Sequence, residues 1–406
     1  MEKLIITGGK FILPEGIVEG VSAVCDVKTG KILEIRANGE VEPDSSDIVI
    51  DAAGRYVSPG FVDIHVHGGG GFDIMDGNVE SFLGMSEMHA THGTTSMLPT
   101  TLTCTDEELF RVLDVFEKAC SLNQKGAQML GLHLEGPFFS AQRSGAQDPS
   151  YLKNPVPENY MKFLEASDKI MRWSVAPELE GAMDFADELS RRGILPSIAH
   201  SDAVYEVAEE AYRHGCSHVT HLYCAMSSIV RKNAFRYAGI QEAAYLIDDM
   251  TVEIIADGVH LPKPLLQYAY KFKGPEKTAL CTDAIRGAGM PDGQCCMLGS
   301  KDKGQLVLIE DGVAKLPDRS AFAGSVATTD RLVRTMVNLA DVPLEHAVKM
   351  MTLTPSRIMH IDDRKGSIKA GKDADFVIFD DNVKVEYTIV ASKAVSYTHL
   401  TLPTIA

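Results

Sequence analysis

A (β/α)8 TIM barrel with a small β-sandwich domain formed by both chain termini is the α/β fold that this sequence predicts. Three observations lead there. From residue 58 onward, apolar strand-like runs alternate with amphipathic helical runs, eight units in roughly 230 residues. Residues 1–57 and 366–395 instead show short strand patterns with no helical period. No GxGxxG turn opens a helix after the first apolar run, which counts against the alternative, a doubly wound open sheet.

Terminal strands are expected at 3–7, 21–27, 31–35 and 48–51, with turns such as Gly8-Gly9 and Thr29-Gly30 between them. Such a layer cannot close a core alone. Runs at 376–379 and 387–390 are its natural partners. The predicted division is therefore 1–57 and 354–395 for the β domain and 58–353 for the barrel. Residues 396–406, SYTHLTLPTIA, fit no element and read as a tail foreign to the fold.

Barrel strands are expected at 61–65, 95–100, 129–134, 172–176, 195–199, 218–221, 252–256 and 278–281. Helical segments between them include 106–122, 183–192, 204–214 and 264–272. After the eighth strand, 294–315 reads as a β-hairpin insertion. A helix is then expected from Gly324-Ser325, with Ser325 as its N-cap. Helices continue to about His360.

The first barrel strand runs from a turn at Pro59-Gly60 into PGFVDIHVHGGGG. Residues two apart in a strand share a side, so His65 and His67 face one point at its C-terminal end. Two neutral imidazoles aimed together make a metal-binding pair. The four glycines 68–71 lack the lysine and helix start of a phosphate loop. Close backbone approach beside the ligands is the expected role.

In such a barrel the active groups sit at the C-terminal ends of strands. There the sequence places Glu135 on strand three, His200 on strand five, His221 on strand six, Asp257 and His260 after strand seven, and Asp283 on strand eight. Histidine makes up 13 of the 406 residues, so four strand ends bearing one is not chance placement. Imidazole mixed with carboxylate suits borderline and hard divalent cations. Glu135, His200 and His221 offer three ligands and leave a position for water. His65 and His67 offer a second ion position, with Glu135 between the two. Asp283, opposite, is placed to take a proton from that water and return it to a leaving group.

Composition sets the outer bounds. The chain is 45% hydrophobic and carries a net charge of −17, which disfavours nucleic acid and anionic membrane as partners. No apolar stretch approaches the ~20 residues that span a bilayer. The N-terminus, MEKLIITGGKFILPEG, has no basic region followed by an apolar core, so no secretory signal is expected. Eight cysteines without a CxxC pair read as free thiols of a reducing cytoplasm.

The order HxH, Glu, His, His, Asp on successive strand ends resembles the amidohydrolase superfamily. Within it, PGFVDIHVHG, HLEGPF, SIAHSDA, THLYCAM, IIADGVHLP and LCTDA resemble the N-acetylglucosamine-6-phosphate deacetylase family, from about residue 50 to residue 380. HLEGPF and IIADGVH are specific, whereas HxH marks only the superfamily. The resemblance implies hydrolysis of an N-acetyl amino-sugar phosphate to the free amine and acetate. It implies one or two divalent ions per subunit, with Zn2+ the expected metal. It also implies a homodimer whose partner subunit supplies a cation to the substrate phosphate. Carried over residue by residue, Glu135, His200 and His221 match the main metal ligands. His65 and His67 match a pair that only some members use. Asp283 matches the general base and acid, and His260 the histidine at the sugar C1 hydroxyl.

Three positions depart from the pattern. Gln147, in Gly145-Ala146-Gln147, stands where the family usually has a histidine over the acetyl oxygen; an amide donates a hydrogen bond but carries no charge. Cys224, before Ala225 in THLYCAM, replaces an asparagine that would touch substrate. The usual Gly-Arg-Glu-Pro-Gly loop is here Arg231-Lys232-Asn233-Ala234-Phe235-Arg236, so Arg231 or Lys232 is the expected phosphate cation. These changes keep the reaction type and open the choice of substrate. A different amide hydrolase, such as a deacylase or cyclic amidase, is one alternative. The lysine that often bridges two metals in cyclic amidases is missing, because strand four ends in Ala176-Pro177-Glu178. A non-catalytic sugar-phosphate sensor is the other, and retention of every ligand and of Asp283 counts against it.

Overall fold

The computed structural model describes residues 2–397. Eight parallel strands are arranged in chain order: Phe61–Val66, Thr94–Pro99, Leu132–Glu135, Ile170–Val175, Leu195–Ile198, His218–Val219, Thr251–Ile254 and Thr278–Leu280. The first two pair in one sheet and the last six in another. Single parallel bridges join the sheets at both seams, Thr100 to His133 and Val66 to Ala284. Every residue of the first two strands is buried, as expected of strands covered on both faces.

The longest helix, Asp106–Leu122, begins where the sequence signals it. Thr105 and Glu108 form a capping box that satisfies two free N–H groups. Helices Ala182–Arg191, Tyr205–Arg213 and Lys263–Lys273 lie within about two residues of their expected ends, the usual boundary uncertainty. Helices Val79–Ala90 and Pro157–Ala166 complete units that the sequence reading left unassigned.

The chain ends pack together. One sheet orders the strands Lys31–Ala37, Val21–Asp26, Lys3–Thr7 and Ile48–Asp51. The other joins Lys393–Tyr397, Val385–Val390, Phe376–Phe379, Tyr56–Pro59, Lys10–Leu13 and Gly16–Val18. Ile6, Phe11, Ile32, Phe376 and Ile389 belong to one buried cluster drawn from both sheets. Strand Tyr56–Pro59 leads straight into the first barrel strand at Phe61, so this layer and the barrel are continuous through Gly60.

Three expectations are corrected. The insertion after strand eight is a three-stranded antiparallel sheet: the hairpin Gln305–Glu310 and Val313–Lys315 is present, and Cys295–Leu298 pairs along its first strand as a third. Ser325 is no N-cap: its hydroxyl donates to the Thr282 carbonyl, and the helix starts later, as Thr329–Asn338. Ser396 and Tyr397 are not tail, since they pair with Thr388 and Tyr387 in the last strand; the rest of the suspected tail lies outside the described residues. All eight cysteines are free thiols. Among the described residues no helix is long and apolar enough to cross a membrane.

Candidate active site and metal centre

The expected ligands come from four different strand ends and converge on one carboxylate. His221 Nε2 lies 3.1 Å and His200 Nε2 3.4 Å from Glu135 Oε1. His65 Nε2 is 3.5 Å from the same oxygen, and His67 Nε2 is 3.4 Å from Glu135 Oε2. Two compact sets result, Glu135–His200–His221 and His65–His67–Glu135, sharing Glu135. All five side chains are buried.

Three of the four imidazoles are anchored through Nδ1. His67 Nδ1 faces the Thr100 carbonyl at 3.0 Å, His200 Nδ1 the Arg143 carbonyl at 2.8 Å, and His65 Nδ1 the Glu253 carboxylate at 2.8 Å. These partners only accept, so each Nδ1 donates, and each Nε2 offers a lone pair toward Glu135 once an ion displaces its proton. Such a donor set, nitrogen lone pairs around a shared carboxylate, fits one or two divalent ions.

Strain marks the same places. His200, His221 and Asp283 are non-glycine residues with φ of 47°, 31° and 47°. Left-handed backbone costs energy for residues bearing a Cβ and gathers at functional sites. Here it turns each side chain inward at the tip of its strand.

Asp283 Oδ1 lies 3.0 Å from His67 Nε2 and 3.5 Å from His65 Nε2, on the side of the second ligand set. Burial disfavours the charged forms of Glu135, Asp283, His65 and His67, but the opposite charges among them outweigh it. Glu135 is held well below the usual carboxylate range by His65, His200 and His221. Asp283 is lowered by His65 and His67. His65 is raised well above the ordinary imidazole value by Glu135, Asp283 and Glu253, and His67 is raised by Asp283 and Glu135.

Above the ligands opens a cavity of about 440 Å3. Gln147, Cys224, Ala225, His260 and Asp283 line it, as the sequence predicts for site residues. His260 Nδ1 is fixed by Asp257 Oδ2 at 2.7 Å, which leaves its Nε2 for the cavity. Gln147 lies closer to the ligands than expected, with Nε2 2.7 Å from Glu135 Oε2. Burial pushes the Cys224 thiol up, so it is a neutral wall and not a thiolate. Arg231 and Lys232 are not at this cavity. They lie exposed on a hairpin, Val230–Lys232 against Phe235–Tyr237.

Of the four glycines, Gly68 and Gly69 serve close approach, while Gly70 and Gly71 take left-handed backbone at φ 62° and 88°. A Cβ on Gly68 would meet the Phe72 carbonyl at 2.3 Å, and one on Gly69 the Met88 methyl at 2.0 Å.

Several groups escaped the sequence reading. Arg143 lines the cavity and pairs with Asp202 at 2.8 Å. Phe322, from the loop after the insertion, covers His260 with ring centroids 4.7 Å apart. Arg172 and Glu253 form a buried ion pair beneath the ligands. The last two had a signal: each is a full charge inside an apolar strand run, MRWSVA and VEIIA.

A ring of parallel strands with imidazoles, a shared carboxylate and an aspartate at its C-terminal rim is the arrangement of a metal-dependent hydrolase. The sequence profile of the Amidohydrolase family matches residues 56–395, and the chain belongs to that family. Its relatives narrow the comparison. The N-acetylglucosamine-6-phosphate deacetylase of Lysinibacillus sphaericus is 34% identical over 372 residues, 90% of this chain and 92% of that one. The N-acetylgalactosamine-6-phosphate deacetylase of Escherichia coli O157:H7 is 30% identical, over 86% of this chain and 90% of that one. The crystal structure of the N-acetylglucosamine-6-phosphate deacetylase from Pasteurella multocida superposes with a TM-score of 0.89 at 28% identity, covering 98% of this chain and all of that one.

Proposed function

We propose that this chain is a metal-dependent deacetylase that hydrolyses the acetamide of N-acetylglucosamine 6-phosphate to glucosamine 6-phosphate and acetate. One observation carries the reading: four imidazole Nε2 atoms converge on Glu135 beside Asp283, at the floor of a sugar-sized cavity. The names and near-complete overlap of the relatives supply the substrate class.

Glu135, His200 and His221 would hold the main ion, and His65, His67 and Glu135 a second one. Zn2+ is the expected metal for this mixture of nitrogen and oxygen donors. Bound there, a divalent ion would supply Lewis acidity toward the acetyl carbonyl and lower the pKa of water toward neutrality. Asp283 takes the proton as water adds to the acetyl carbon. It then gives that proton to the departing sugar nitrogen as the C–N bond breaks. Acetate and the free amine leave. His260 binds the C1 hydroxyl, and Gln147, Cys224 and Ala225 shape the wall around the acetyl group and sugar.

The phosphate is met by Arg231 or Lys232 of a partner copy. Exposed apolar side chains support a homodimer: Ile229 and Phe235 at that hairpin, and Leu246, Tyr268 and Phe272 on the helices Ile240–Leu246 and Lys263–Lys273. Tyr268 packs on Phe272 and on Tyr245, whose hydroxyl meets that of the cavity residue Tyr223 at 2.6 Å. Exposed aromatic surface of this kind is enriched at interfaces. We take residues 1–57 and 354–395 as one β-sandwich domain, 58–353 as the barrel, and the cytoplasm as the site of action.

Cys224 favours a second reading, in which the preferred sugar is the galactosamine epimer or another N-acylated sugar phosphate. A thiol replaces the family's amide at the substrate wall, and one relative carries the galactosamine name. Purified protein incubated with both 6-phosphates and both unphosphorylated sugars, with acetate measured, decides between them. Equal rates with and without phosphate would remove the phosphate contact. No acetate from any of the four would overturn the deacetylase reading.

A further inference from the structure

Arg172 and Glu253 are both completely buried. The guanidinium grips the carboxylate as a fork, 2.7 Å to Oε2 and 2.9 Å to Oε1. Its other hydrogens reach Ser197 Oγ at 3.0 Å, the Ile64 carbonyl at 3.2 Å and Thr220 Oγ1 at 2.7 Å. Arg172 thus ties together the first, fourth, fifth, sixth and seventh barrel strands. Glu253 Oε1 accepts in addition from His65 Nδ1 at 2.8 Å and the His221 backbone N–H at 3.3 Å. His218 Nε2 lies 3.3 Å from Oε2.

Stability does not explain such a pair, because apolar residues of similar volume often serve a core as well or better. Its link to His65 does. A carboxylate accepts and never donates, so His65 carries its proton on Nδ1. The Nε2 lone pair is then aimed at His67 Nε2, 3.3 Å away, and at Glu135 and Asp283, both 3.5 Å away.

Glu253 also forms a compact trio with His65 and Cys281, the kind of group that can hold an ion. Arg172 excludes that role. Its fork engages both oxygens, and a guanidinium at 2.7 Å repels a cation. The carboxylate serves the imidazole.

We propose that Glu253, locked by Arg172, is the positioning residue that fixes the Nδ1–H tautomer and ring orientation of His65 and thereby sets the affinity of the second ion position given above for His65 and His67. This rests on the metal-dependent reading above.

The test is metal binding. Full-length protein is stripped with a chelator, then titrated with Zn2+ by calorimetry and with Mn2+ by electron paramagnetic resonance. Wild type is expected to bind two ions and to give an exchange-coupled Mn2+ pair. In Glu253→Gln the first ion should bind as before, while the second weakens by ~10–100-fold, the usual effect of losing a partner behind a ligand. The coupled signal should vanish. In a His65→Ala background, adding Glu253→Gln should change neither affinity further. If Glu253→Gln does not fold, Glu253→Asp keeps the charge facing Arg172 and withdraws it from His65, with the same selective loss expected. Two ions bound as in wild type by either variant, or one ion in wild type, would overturn the proposal. No ion in wild type would overturn the metal-dependent reading itself.

Discussion

Gln147 clasps Glu135. Its Nε2 donates to Glu135 Oε2 at 2.7 Å, while its Oε1 accepts from the Thr103 backbone N–H at 2.8 Å. Both ends of the amide are therefore fixed, and the amide cannot flip without losing both bonds. The residue expected to face the acetyl oxygen also steadies the one carboxylate shared by both ligand sets.

Replacing Gln147 with methionine keeps the volume and removes both bonds. The Thr103 N–H is left buried without an acceptor, at a cost of about 1–3 kcal/mol. We expect a lower melting temperature and ~10–100-fold weaker binding of the main ion. Thermal melts and metal titration check this. Unchanged metal affinity would confine Gln147 to the substrate side.

Asp283→Asn should keep the fold and the bound metal and lose turnover by ~10²–10⁴-fold, the usual contribution of a general acid–base group. Acetate release, with metal content measured on the same sample, is the check. Near-normal activity would remove Asp283 from the mechanism.

Glu135 belongs to both ligand sets, whereas His65 belongs to the second. Glu135→Ala and His200→Ala should lose the tightly held ion, and His65→Ala only the other. Elemental analysis after gel filtration reads the difference. A full complement of metal in Glu135→Ala would place the main site elsewhere.

The cluster also sets a pH dependence. In protein stripped of metal, His65 and His67 titrate above the ordinary imidazole value, because Glu135 and Asp283, joined at His65 by Glu253, outweigh the burial penalty. A raised imidazole contributes stability that is complete below its unfolded value, about 6.5, and is lost as pH rises through the folded value. Glu135 is lowered instead, so its contribution stays in place over that range. Stripped wild type should therefore melt at a lower temperature at pH ~8.5 than at ~6.5, and His65→Gln should show a smaller difference. The second ion displaces these protons, so its affinity should fall with falling pH. Equal melting shifts in wild type and His65→Gln would contradict this.

Legibility in the sequence followed the kind of interaction. The strand ends bearing His65, His67, Glu135, His200, His221 and Asp283 were readable, since each sits where an apolar run stops. Helix Asp106–Leu122 was readable because its cap and period agree. Contacts between distant segments were not. Phe322 reaches His260 through an inserted loop, and Arg143 reaches the cavity from a stretch without period. Ser325 looked like a cap because it precedes a helical pattern, but tertiary bonding to Thr282 claimed its hydroxyl. Glu253 and Arg172 lay in plain view inside apolar strands, yet only the three-dimensional pairing gives them a task.

The most direct measurement of the central claim is acetate release from N-acetylglucosamine 6-phosphate by the purified chain as isolated, after chelation, and after Zn2+ is restored. The account predicts turnover that disappears on chelation, returns with the ion, and falls sharply when the phosphate is omitted from the sugar. Undiminished turnover in the stripped protein, or none in the zinc-restored protein, would contradict it.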